Sequence, residues 1–465
     1  MVLPHELGSG SELRALRQNL GLSQSKLSEV TGVPQHVLSA YELGKEELSR
    51  EYKALVLDAL YKPHDLKAVA TRRKRYRTHR FTEAKRDPDR IEKARRTPGN
   101  PHYLKRLEML AQGHLEKKDA GLTAVSLFSG CGGFSLGFSA AGFSILGHVE
   151  INSGFKRIYS ENFARSLDLG DDIREFDNTK IVGISKSIPK VDILIGGPPC
   201  QGFSLAGKRK TDDPRNELFR HYMDFVTGFQ PKIAVIENVR LLTSMKTVGG
   251  TYVKDEIMRA FSECGYDSEL FLVNAQQYGV PQSRERVLFV AVRKDLGFKP
   301  SIPAPTHGAL NDLFSLRREY VTFGDACSDL PYLESGEESI DPLHSAVAHP
   351  QHVVDWLWDV AEGHSAHENA DPDLRPPSGY NTTYKRQVWN QPAATVQTTF
   401  GMISGCNNVH PIATRSMTIR EAARVQSFPD SFKFVGTAGD IRSSIGNAVP
   451  PLLSYAVAKH LRRLL

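Results

Sequence analysis

The sequence predicts an α/β fold in which a doubly wound, mostly parallel sheet follows an all-α unit at the start of the chain. Three observations support this prediction. Short apolar, β-rich runs alternate with amphipathic stretches from Leu122 onward, glycine- or proline-containing loops follow several of these runs, and short helical stretches with glycine turns fill residues 11–60. In such a sheet, crossover helices join the strands and ligands bind at the carboxyl ends of the strands. The residues that carry chemistry are therefore expected directly after the apolar runs.

The overall composition is that of a large globular protein. The chain has 465 residues, enough for two or three domains, and a hydrophobic fraction of 40%. No apolar run reaches the length of a membrane span, and the first residues lack the regions of a signal peptide, so we expect a cytoplasmic protein without membrane contact. Five widely spaced cysteines without a Cys-x-x-Cys pair argue against disulfides and a zinc knuckle.

Positive charge is concentrated in one segment. Residues 71–118 contain sixteen Lys and Arg against six Asp and Glu, so the net charge of the rest of the chain is negative although the whole chain carries +6. Such a segment is typical of nucleic-acid binding, and a solvated linker is the compatible alternative. We interpret residues 71–119 as a basic linker, with Glu83–Arg96 as a candidate charged helix.

The beginning of the chain predicts three short helices separated by glycine-containing turns. Ser11 is expected to cap the first helix, Ser23 to cap the second from Gln24 to Thr31, and Pro34 to take the first position of the third. The apolar residues expected on their inner faces are Leu13, Leu16, Leu20, Leu27, Val30, Val37, Leu38 and Tyr41. A helix, a tight glycine turn and a second helix form the helix-turn-helix pattern.

Three stretches, Leu22–Ser28, Gly32–Pro34 and Tyr41–Lys45, resemble the Cro/repressor-like helix-turn-helix family. The resemblance implies an all-α DNA-binding domain over residues 8–70, in which the second helix touches phosphates and the third lies in the major groove. The implied DNA contacts are Gln24 at the backbone and Gln35, His36 and Ser39 at the bases. A small helical bundle used for dimerisation or docking is the alternative.

The first two apolar runs of the sheet are followed by residues typical of a nucleotide site. Ala124–Phe128 is followed by the glycine-rich stretch Ser129–Gly137, and Ile145–Val149 is followed by Glu150. Glycines let a turn pass close to a ligand before a helix begins, and an acidic residue in this position can accept hydrogen bonds from ribose hydroxyls. A nicotinamide dehydrogenase would fit this pattern equally well, and a tight packing turn is the structural alternative.

Three further runs, Val191–Ile195, Ile233–Ile236 and Arg286–Val292, adjoin polar or reactive residues. After the first comes a loop in which two prolines precede Cys200, so that a thiol is presented by a rigid backbone. Glu237-Asn238-Val239 follows the second run, and Gln282-Ser283-Arg284-Glu285 leads into the third.

These motifs, Phe-x-Gly-x-Gly-Gly, Pro-Pro-Cys-Gln, Glu-Asn-Val and Gln-x-Arg-x-Arg, resemble in this order the DNA cytosine-5 methyltransferase family. Thr418–Asp430 and Ile445–Pro451 agree with the same family, so the resemblance covers roughly Leu122 to Leu465. It implies a Rossmann-like sheet, S-adenosyl-L-methionine as cofactor and double-stranded DNA as substrate. The implied division is a catalytic domain at 120–300, a small target-recognition domain at 301–415 and a return to the catalytic domain at 416–465.

The resemblance assigns Cys200 as the nucleophile that attacks carbon 6 of cytosine, which makes carbon 5 reactive toward the sulfonium methyl group. Cysteine suits this step because its thiolate is both a strong nucleophile and a usable leaving group. The resemblance assigns Glu237 to ring nitrogen 3, Arg286 to the carbonyl at carbon 2, and Arg284 to support of the site and of the DNA backbone. A surface salt bridge is the alternative for these three residues.

The resemblance also implies which residues surround the cofactor. Glu150 would hold the ribose, Phe128 and Ile151 the two adenine faces, and Asp172 the adenine amino group, with Asp171 as a competing candidate. The full implied set is Phe128, Ser129, Gly130, Cys131, Gly133, Glu150, Ile151, Asp172, Ile173, Pro199, Leu218, Asn447, Ala448 and Val449. Cys131 is expected to pack rather than react, and Cys264, Cys327 and Cys406 are expected to be structural.

Two regions complete the expectations. The loop after Cys200, with Lys208 and Arg209, is expected to close over DNA from which the target base has been flipped out. Histidines at 344, 349, 352, 364 and 367 fit no standard metal-ligand spacing, so a polar DNA-facing surface is favoured over a metal site.

Several functional alternatives remain at this stage. The favoured hypothesis is a restriction–modification type enzyme whose first domain binds operator DNA, as a possible homodimer, to regulate its own gene. An RNA cytosine-5 methyltransferase and a repressor with an inert methyltransferase part are the competing hypotheses. The recognised DNA sequence, a cognate endonuclease and the oligomeric state are not predictable from the sequence.

Overall fold

The computed structural model describes residues 9–19, 22–31, 33–61, 89, 92, 94, 100–116, 121–199, 218–247, 249–309 and 317–465. The chain divides into two compact units, residues 1–85 and 86–465. Cys200, Lys208 and Arg209 lie outside the described residues.

The first unit is helical, as predicted. Its helices are α1 (Gly10–Asn19), α2 (Gln24–Thr31), α3 (Gln35–Glu42) and α4 (Arg50–Tyr61). They enclose a small core that contains Leu13, Leu27, Leu38, Tyr41 and Val56. Burial of this apolar stripe stabilises helices that are individually too short to persist in water.

Two of the predicted helix starts in this unit are wrong by one or two residues. The hydroxyl of Ser9 accepts the backbone N–H of Glu12, so Ser9, and not Ser11, caps α1. Pro34 is the residue before α3 and not its first helical position. The predicted cap of α2 is confirmed, because Ser23 Oγ accepts the N–H of Lys26 at 3.0 Å. Leu20 lies outside the described residues.

The second unit is built on a seven-stranded sheet with the order β3-β2-β1-β4-β5-β7-β6. The strands are β1 (Thr123–Leu127), β2 (Ser144–Val149), β3 (Leu167–Gly170), β4 (Ile193–Gly196), β5 (Ile233–Val239), β6 (Tyr266–Asn274) and β7 (Glu285–Arg293). The first five strands are parallel, and β7 is antiparallel to both β5 and β6. The predicted fold class is confirmed.

The longer helices of this unit lie on the two faces of the sheet or in its connections. They are α5 (Pro101–Leu115), α6 (Gly133–Ala140), α7 (Ser153–Asn162), α8 (Asn178–Ser187), α9 (Leu218–Phe229), α10 (Val253–Glu263), α11 (Phe323–Cys327), α12 (Gln351–Leu357), α13 (Ile419–Val425), α14 (Ala438–Asn447) and α15 (Pro451–Arg462). Successive residues of the central strands enter two different apolar clusters, with Ile193 in one and Leu194 in the other. Both faces of the sheet are therefore covered, which explains why its strands are apolar throughout.

Helix α5 lies within the segment predicted as a basic linker. Asn100 caps it by accepting N–H groups from His102 and Tyr103, and Pro101 occupies its first turn. Leu110 is fully buried, and the hydroxyl of the buried Tyr103 donates to the carbonyl of Arg424. The later part of the basic segment is thus packed into the second unit.

Residues between α11 and α13 contain short helices, turns and isolated bridges, in agreement with the mixed pattern of the sequence. A separate small cluster in this region includes Val353, Leu357, Ile403 and Val409. Among the described residues of the whole chain, no helix is both long and apolar enough to cross a membrane.

Candidate active site

The carboxyl ends of four neighbouring strands meet at one edge of the sheet. Leu127 at the end of β1 is aligned with Val149 of β2 and with Gly196 of β4, and Gly196 is aligned with Ile236 of β5. The residues that follow these positions are therefore adjacent in space. The order of the motifs along the chain becomes a single site because the strands that carry them are parallel neighbours.

The loop after β1 is held in an unusual conformation by Glu150. Phe128 has φ of 52°, a region that costs energy for a bulky side chain, and Gly130 follows with φ of 57°. The Glu150 carboxylate accepts N–H groups from Gly130 at 2.7 Å and from Asn152 at 2.8 Å. Burial raises the pKa of Glu150, while these N–H groups act in the opposite direction. The carboxylate thus joins the loops after β1 and β2.

The floor of this loop is formed by the C-terminal part of the chain. A Cβ atom at Gly133 would collide with the carbonyl of Val449. Cys131 is fully buried and its Sγ lies 3.5 Å from the carbonyl of Ser444, and burial raises the pKa of its thiol to about 12. This thiol is therefore protonated at neutral pH and serves packing. Ala448 is buried beside Val449, whereas Asn447 is exposed.

The two aspartates proposed to read adenine differ in their surroundings. Asp172 accepts the backbone N–H and the Nε of Arg174 at 3.0 and 2.9 Å, and this partner lowers the pKa of the carboxyl group. Asp171 pairs with Lys156. Both carboxylates already have cationic partners, so the choice between them stays open. Ile173 is buried, and Ile151 exposes 63% of its surface.

The other two proposed cofactor residues, Pro199 and Leu218, stand at the two borders of the gap in the described chain. Both are half-buried, and Leu218 begins α9.

Glu237 and Arg286 form a largely buried ion pair. Arg286 Nε lies 2.8 Å from Glu237 Oε1, and each side chain exposes 12% of its surface. Glu237 lies within β5 rather than after it, and Arg286 is the second residue of β7, where it is aligned with Val239. Burial lowers the pKa of the Arg286 guanidinium, and Glu237 counteracts this shift. Because β7 is antiparallel, its beginning meets the carboxyl end of β5.

The chain leading to Cys200 is fixed next to this pair. Asn238 Nδ2 donates to the carbonyl of Pro198 at 2.8 Å. An added Cβ at Gly197 would lie 3.3 Å from Glu237 Oε2. The residues immediately before the predicted nucleophile thus contact the residues predicted to hold the base.

Arg284 corrects one sequence-based expectation. Its guanidinium is buried and donates to the carbonyls of Val396 at 3.1 Å, Gly446 at 2.7 Å and Ala448 at 3.2 Å. It exposes 2% of its surface, so contact with a DNA phosphate is not compatible with this position. Its geometry is that of a residue that ties the start of β7 to two more distant segments of the chain.

The interpretation of the histidines as one DNA-facing surface is wrong for the most buried of them. His344 is fully buried and hydrogen-bonded to Thr418 and to the carbonyl of Pro331. His349 accepts the N–H of Ser416 at 3.2 Å, and burial lowers its pKa to about 4. A sequence does not distinguish such histidines because their partners are distant in the chain. Across the described residues, no cluster of three or more potential metal ligands occurs.

The remaining cysteines include Cys327, which is buried with its pKa well above the usual value because of burial. Cys264 and Cys406 are partly buried.

In the helical unit, the predicted DNA contacts surround a cleft of about 440 Å³. Gln35 and Ser39 line the cleft from α3, and Gln24 lines it from α2, while His36 is exposed on α3. Gln24 Nε2 donates to Glu42 at 2.7 Å, and Glu42 also pairs with Arg17. This buried network was not predicted from the sequence.

The fold and the edge site together define a Rossmann-like α/β enzyme, and comparisons with known proteins identify its family. The sequence profile of the C-5 cytosine-specific DNA methylase family matches residues 122–463, and that of a helix-turn-helix family matches residues 13–60. The chain belongs to the C-5 cytosine-specific DNA methylase family. It is a DNA cytosine-5 methyltransferase that transfers a methyl group to DNA and carries a DNA-binding helix-turn-helix unit.

Individual relatives agree with this assignment. The chain is 35% identical over 381 residues to the type II methyltransferase M.DdeI of Desulfomicrobium norvegicum, covering 73% of this chain and 88% of the relative. It is 37% identical over 346 residues to the type II methyltransferase M1.HphI of Haemophilus parahaemolyticus, covering 74% and 87%. A crystal structure described as a DNA modification methyltransferase from an E. coli prophage matches with a TM-score of 0.58 and 27% identity, covering 74% of this chain and 99% of that one.

Proposed function

We propose that this protein methylates carbon 5 of cytosine within one specific double-stranded DNA sequence, with S-adenosyl-L-methionine as donor, as the modification enzyme of a restriction–modification system. The observation that carries the proposal is the Glu237–Arg286 pair. It lies at the carboxyl edge of the sheet beside the backbone that leads to Cys200, and on the same edge as the glycine loop. The names of the type II relatives support the restriction–modification assignment.

The loop after β1 has features that fit the proposed donor. The space next to Gly130 is open, and the buried Ser129 Oγ has no hydrogen-bond partner among the described residues. Each Glu150 oxygen holds one N–H and retains acceptor capacity for a ribose hydroxyl. When bound, S-adenosyl-L-methionine supplies an electrophilic methyl group. The proposed contacts are Phe128, Ser129, Gly130, Cys131, Gly133, Glu150, Ile151, Asp172, Ile173, Pro199, Leu218, Asn447, Ala448 and Val449.

The proposed chemistry divides the work between three side chains. The Cys200 thiolate forms a bond to carbon 6, and the electron pair of the 5,6 double bond becomes available at carbon 5. Glu237 holds a proton or hydrogen bond at nitrogen 3, where charge develops, and Arg286 donates to the carbonyl at carbon 2. After methyl transfer, loss of the carbon 5 proton expels the thiolate and restores the ring. Arg284 positions β7 by its three carbonyl contacts and acts through Arg286.

We assign target recognition to residues 301–415, and their charge distribution supports a division within this region. From Asp325 to Leu374 the chain has twelve Asp and Glu and neither Lys nor Arg, whereas from Leu374 to Arg420 it has no Asp or Glu. Carboxylates near phosphates would be repelled, so the acid-free part is the better candidate for the DNA-facing surface. Tyr380 and Met402 in this part expose 80% and 57% of their surfaces.

The first unit is proposed to bind operator DNA, as a homodimer, and to regulate the gene of the enzyme. Its support is the exposed polar face of α3, with Gln35 and His36, together with the helix-turn-helix match. A Gln35→Ala/His36→Ala variant of the full chain should lose promoter binding while methylation continues. Unchanged promoter binding would exclude this role, and altered methylation sites would indicate a role in targeting instead.

Bisulfite sequencing of DNA from an expressing host tests the proposed reaction and should find methylcytosine in one sequence context. The wild-type protein should also form a covalent complex with DNA in which the target is 5-fluorocytosine, and Cys200→Ala should not. A trap that survives in Cys200→Ala would refute the assigned nucleophile. Methyl transfer to transfer RNA in preference to duplex DNA would favour the RNA alternative.

A further inference from the structure

A short hairpin beside the candidate active site carries basic residues that the proposed reaction does not use. Lys246 and Tyr252 form an antiparallel bridge, and Thr247 N–H donates to the carbonyl of Thr251 at 2.9 Å. The turn includes Gly250 with φ of 82°, and Val248 lies outside the described residues. At the base of the hairpin, Val253 N–H donates to Met245 at 3.0 Å. The ends of this segment are thus fixed by backbone hydrogen bonds.

The hairpin follows directly from the carboxyl end of β5. Val239, the last residue of β5, is aligned with Arg286, and a 3₁₀ turn from Arg240 to Ser244 leads from β5 to the hairpin. Arg240 Nη1 pairs with Glu285 at 2.7 Å, which holds this turn against the start of β7. The hairpin is therefore reached from the same strand end that carries Glu237.

The side chains of the hairpin combine an aromatic ring with two lysines. Tyr252 exposes 39% of its surface, and the ammonium groups of Lys246 and Lys254 lie 4.9 and 5.3 Å from the centre of its ring. Within the described parts of the chain, neither lysine has an ion-pair partner. A ring in contact with two ammonium groups limits their positions through cation–π attraction, yet their N–H groups remain available.

The surrounding charges leave this surface positive. From Val239 to Lys254 the chain has three basic residues and no acidic one. Of the nearby carboxylates, Glu285 is paired with Arg240, Glu256 lies 3.8 Å from Arg220, and Asp255 is exposed on the first turn of α10. Two unpaired ammonium groups beside an exposed phenol match the acceptor oxygens of a DNA phosphate.

We propose that Lys246, Tyr252 and Lys254 bind backbone phosphates of the duplex that flanks the target cytosine. The proposal rests on the proposed function in that duplex DNA is the substrate. Phosphate contacts fix the position of a protein on DNA without reading its sequence, so this surface contributes equally to binding of cognate and non-cognate duplexes.

The test measures DNA affinity of the full-length Lys246→Gln/Lys254→Gln variant over a range of KCl concentrations. Two probes are used, a duplex with the methylated site identified by bisulfite sequencing and a duplex without it. The slope of log affinity against log salt should become less steep by roughly 2 on both probes, because each neutralised phosphate contributes about 0.9. Lys246→Arg/Lys254→Arg should keep the wild-type slope.

The matched control is Lys186→Gln/Lys190→Gln, which removes two exposed lysines from the segment that precedes β4, at the opposite edge of the sheet. Its slope should equal that of the wild type. An unchanged slope in the Lys246→Gln/Lys254→Gln variant, while it still methylates the same site at low salt, would overturn the hairpin proposal and leave the proposed function intact. Absence of methylation by the wild-type protein would overturn the proposed function instead.

A second measurement does not depend on how the variants fold. In the wild-type protein, duplex DNA should protect Lys246 and Lys254 from acetylation by a soluble reagent, and it should leave Lys186 and Lys190 reactive. Equal labelling of Lys246 and Lys254 with and without DNA would also refute the proposal.

Discussion

Two buried ion pairs in the second unit differ in how completely their hydrogen bonds are made. At the sheet edge, Arg286 Nε meets Glu237, Nη1 donates to the carbonyl of Glu285, and both paired side chains remain 12% exposed. In the return segment, Arg415 donates to both oxygens of Glu421 and to the carbonyls of Leu333 and Ser416, and it exposes 1% of its side chain.

The difference separates a site from a structural network. Glu421 also accepts the N–H of Thr418 and caps α13, so the pair has little remaining hydrogen-bonding capacity and no solvent access. The Glu237–Arg286 pair keeps capacity directed at an accessible edge. A buried charge that is fully satisfied stabilises one conformation, whereas one that is partly satisfied can bind a ligand.

The largest effect is expected at the sheet edge. Glu237→Gln keeps an acceptor for Arg286 but removes the carboxylate, so methyl transfer to DNA should fall by about 10²–10⁴-fold. The free energy of unfolding should change less than in Glu421→Gln. Radiolabelled methyl transfer and urea unfolding measure the two quantities. An active Glu237→Gln protein would show that this pair is structural after all.

Glu421→Gln should have the opposite profile. Loss of one member leaves the Arg415 guanidinium buried with an incomplete partner, which should lower the unfolding free energy by about 3–5 kcal/mol. The exposed Glu338→Gln is the matched control and should have almost no effect. If both variants unfold at the same urea concentration, the buried pair does not contribute to stability as its geometry indicates.

The same contrast predicts an acid dependence. Arg415 holds the pKa of Glu421 below its unfolded value although burial acts against this. A carboxyl group with a lowered folded-state pKa stabilises the fold above its unfolded pKa, and this contribution is lost as pH falls through that range toward the folded pKa. The urea midpoint should therefore decrease from about pH 6 to about pH 4 and below more steeply in the wild type than in Glu421→Gln. Parallel curves would contradict this assignment.

The smallest effects concern glycines in filled and open surroundings. Gly133→Ala should collide with the carbonyl of Val449, lower stability by about 1–3 kcal/mol and raise the KM for the methyl donor. Gly183→Ala, within α8 and with open space around it, should instead raise stability by about 0.5–1 kcal/mol. Thermal unfolding and donor titration measure both variants. A tolerated Gly133→Ala would show that the loop floor can move.

The sequence was sufficient for the central strands because they are buried on both faces and therefore apolar throughout. It failed for β3 and β6 because these edge strands are partly exposed. β6 alternates acidic and apolar residues, and β3 has four residues of which none is buried. It also missed α5, since the many charges of that segment obscured the apolar positions of Leu107 and Leu110.

Some residues had the expected surroundings and others did not. Cys131 packs as expected, because a thiol at the foot of a glycine turn is enclosed by the return segment. Arg284 was expected to reach DNA, yet its partners are carbonyls more than a hundred residues away. Local patterns carry no information about such distant acceptors, and the same limitation applies to the burial of His344.

By itself, the sequence determined the fold class, the family and the order of the motifs, because these depend on apolar periodicity and on short stretches of adjacent residues. Only the tertiary structure decided which charges are accessible. The antiparallel β7 places Arg286 beside Glu237 at the open edge, while the return of the chain encloses Arg284 and Arg415. Accessibility depends on which segments pack over a side chain, and that is a property of the whole fold.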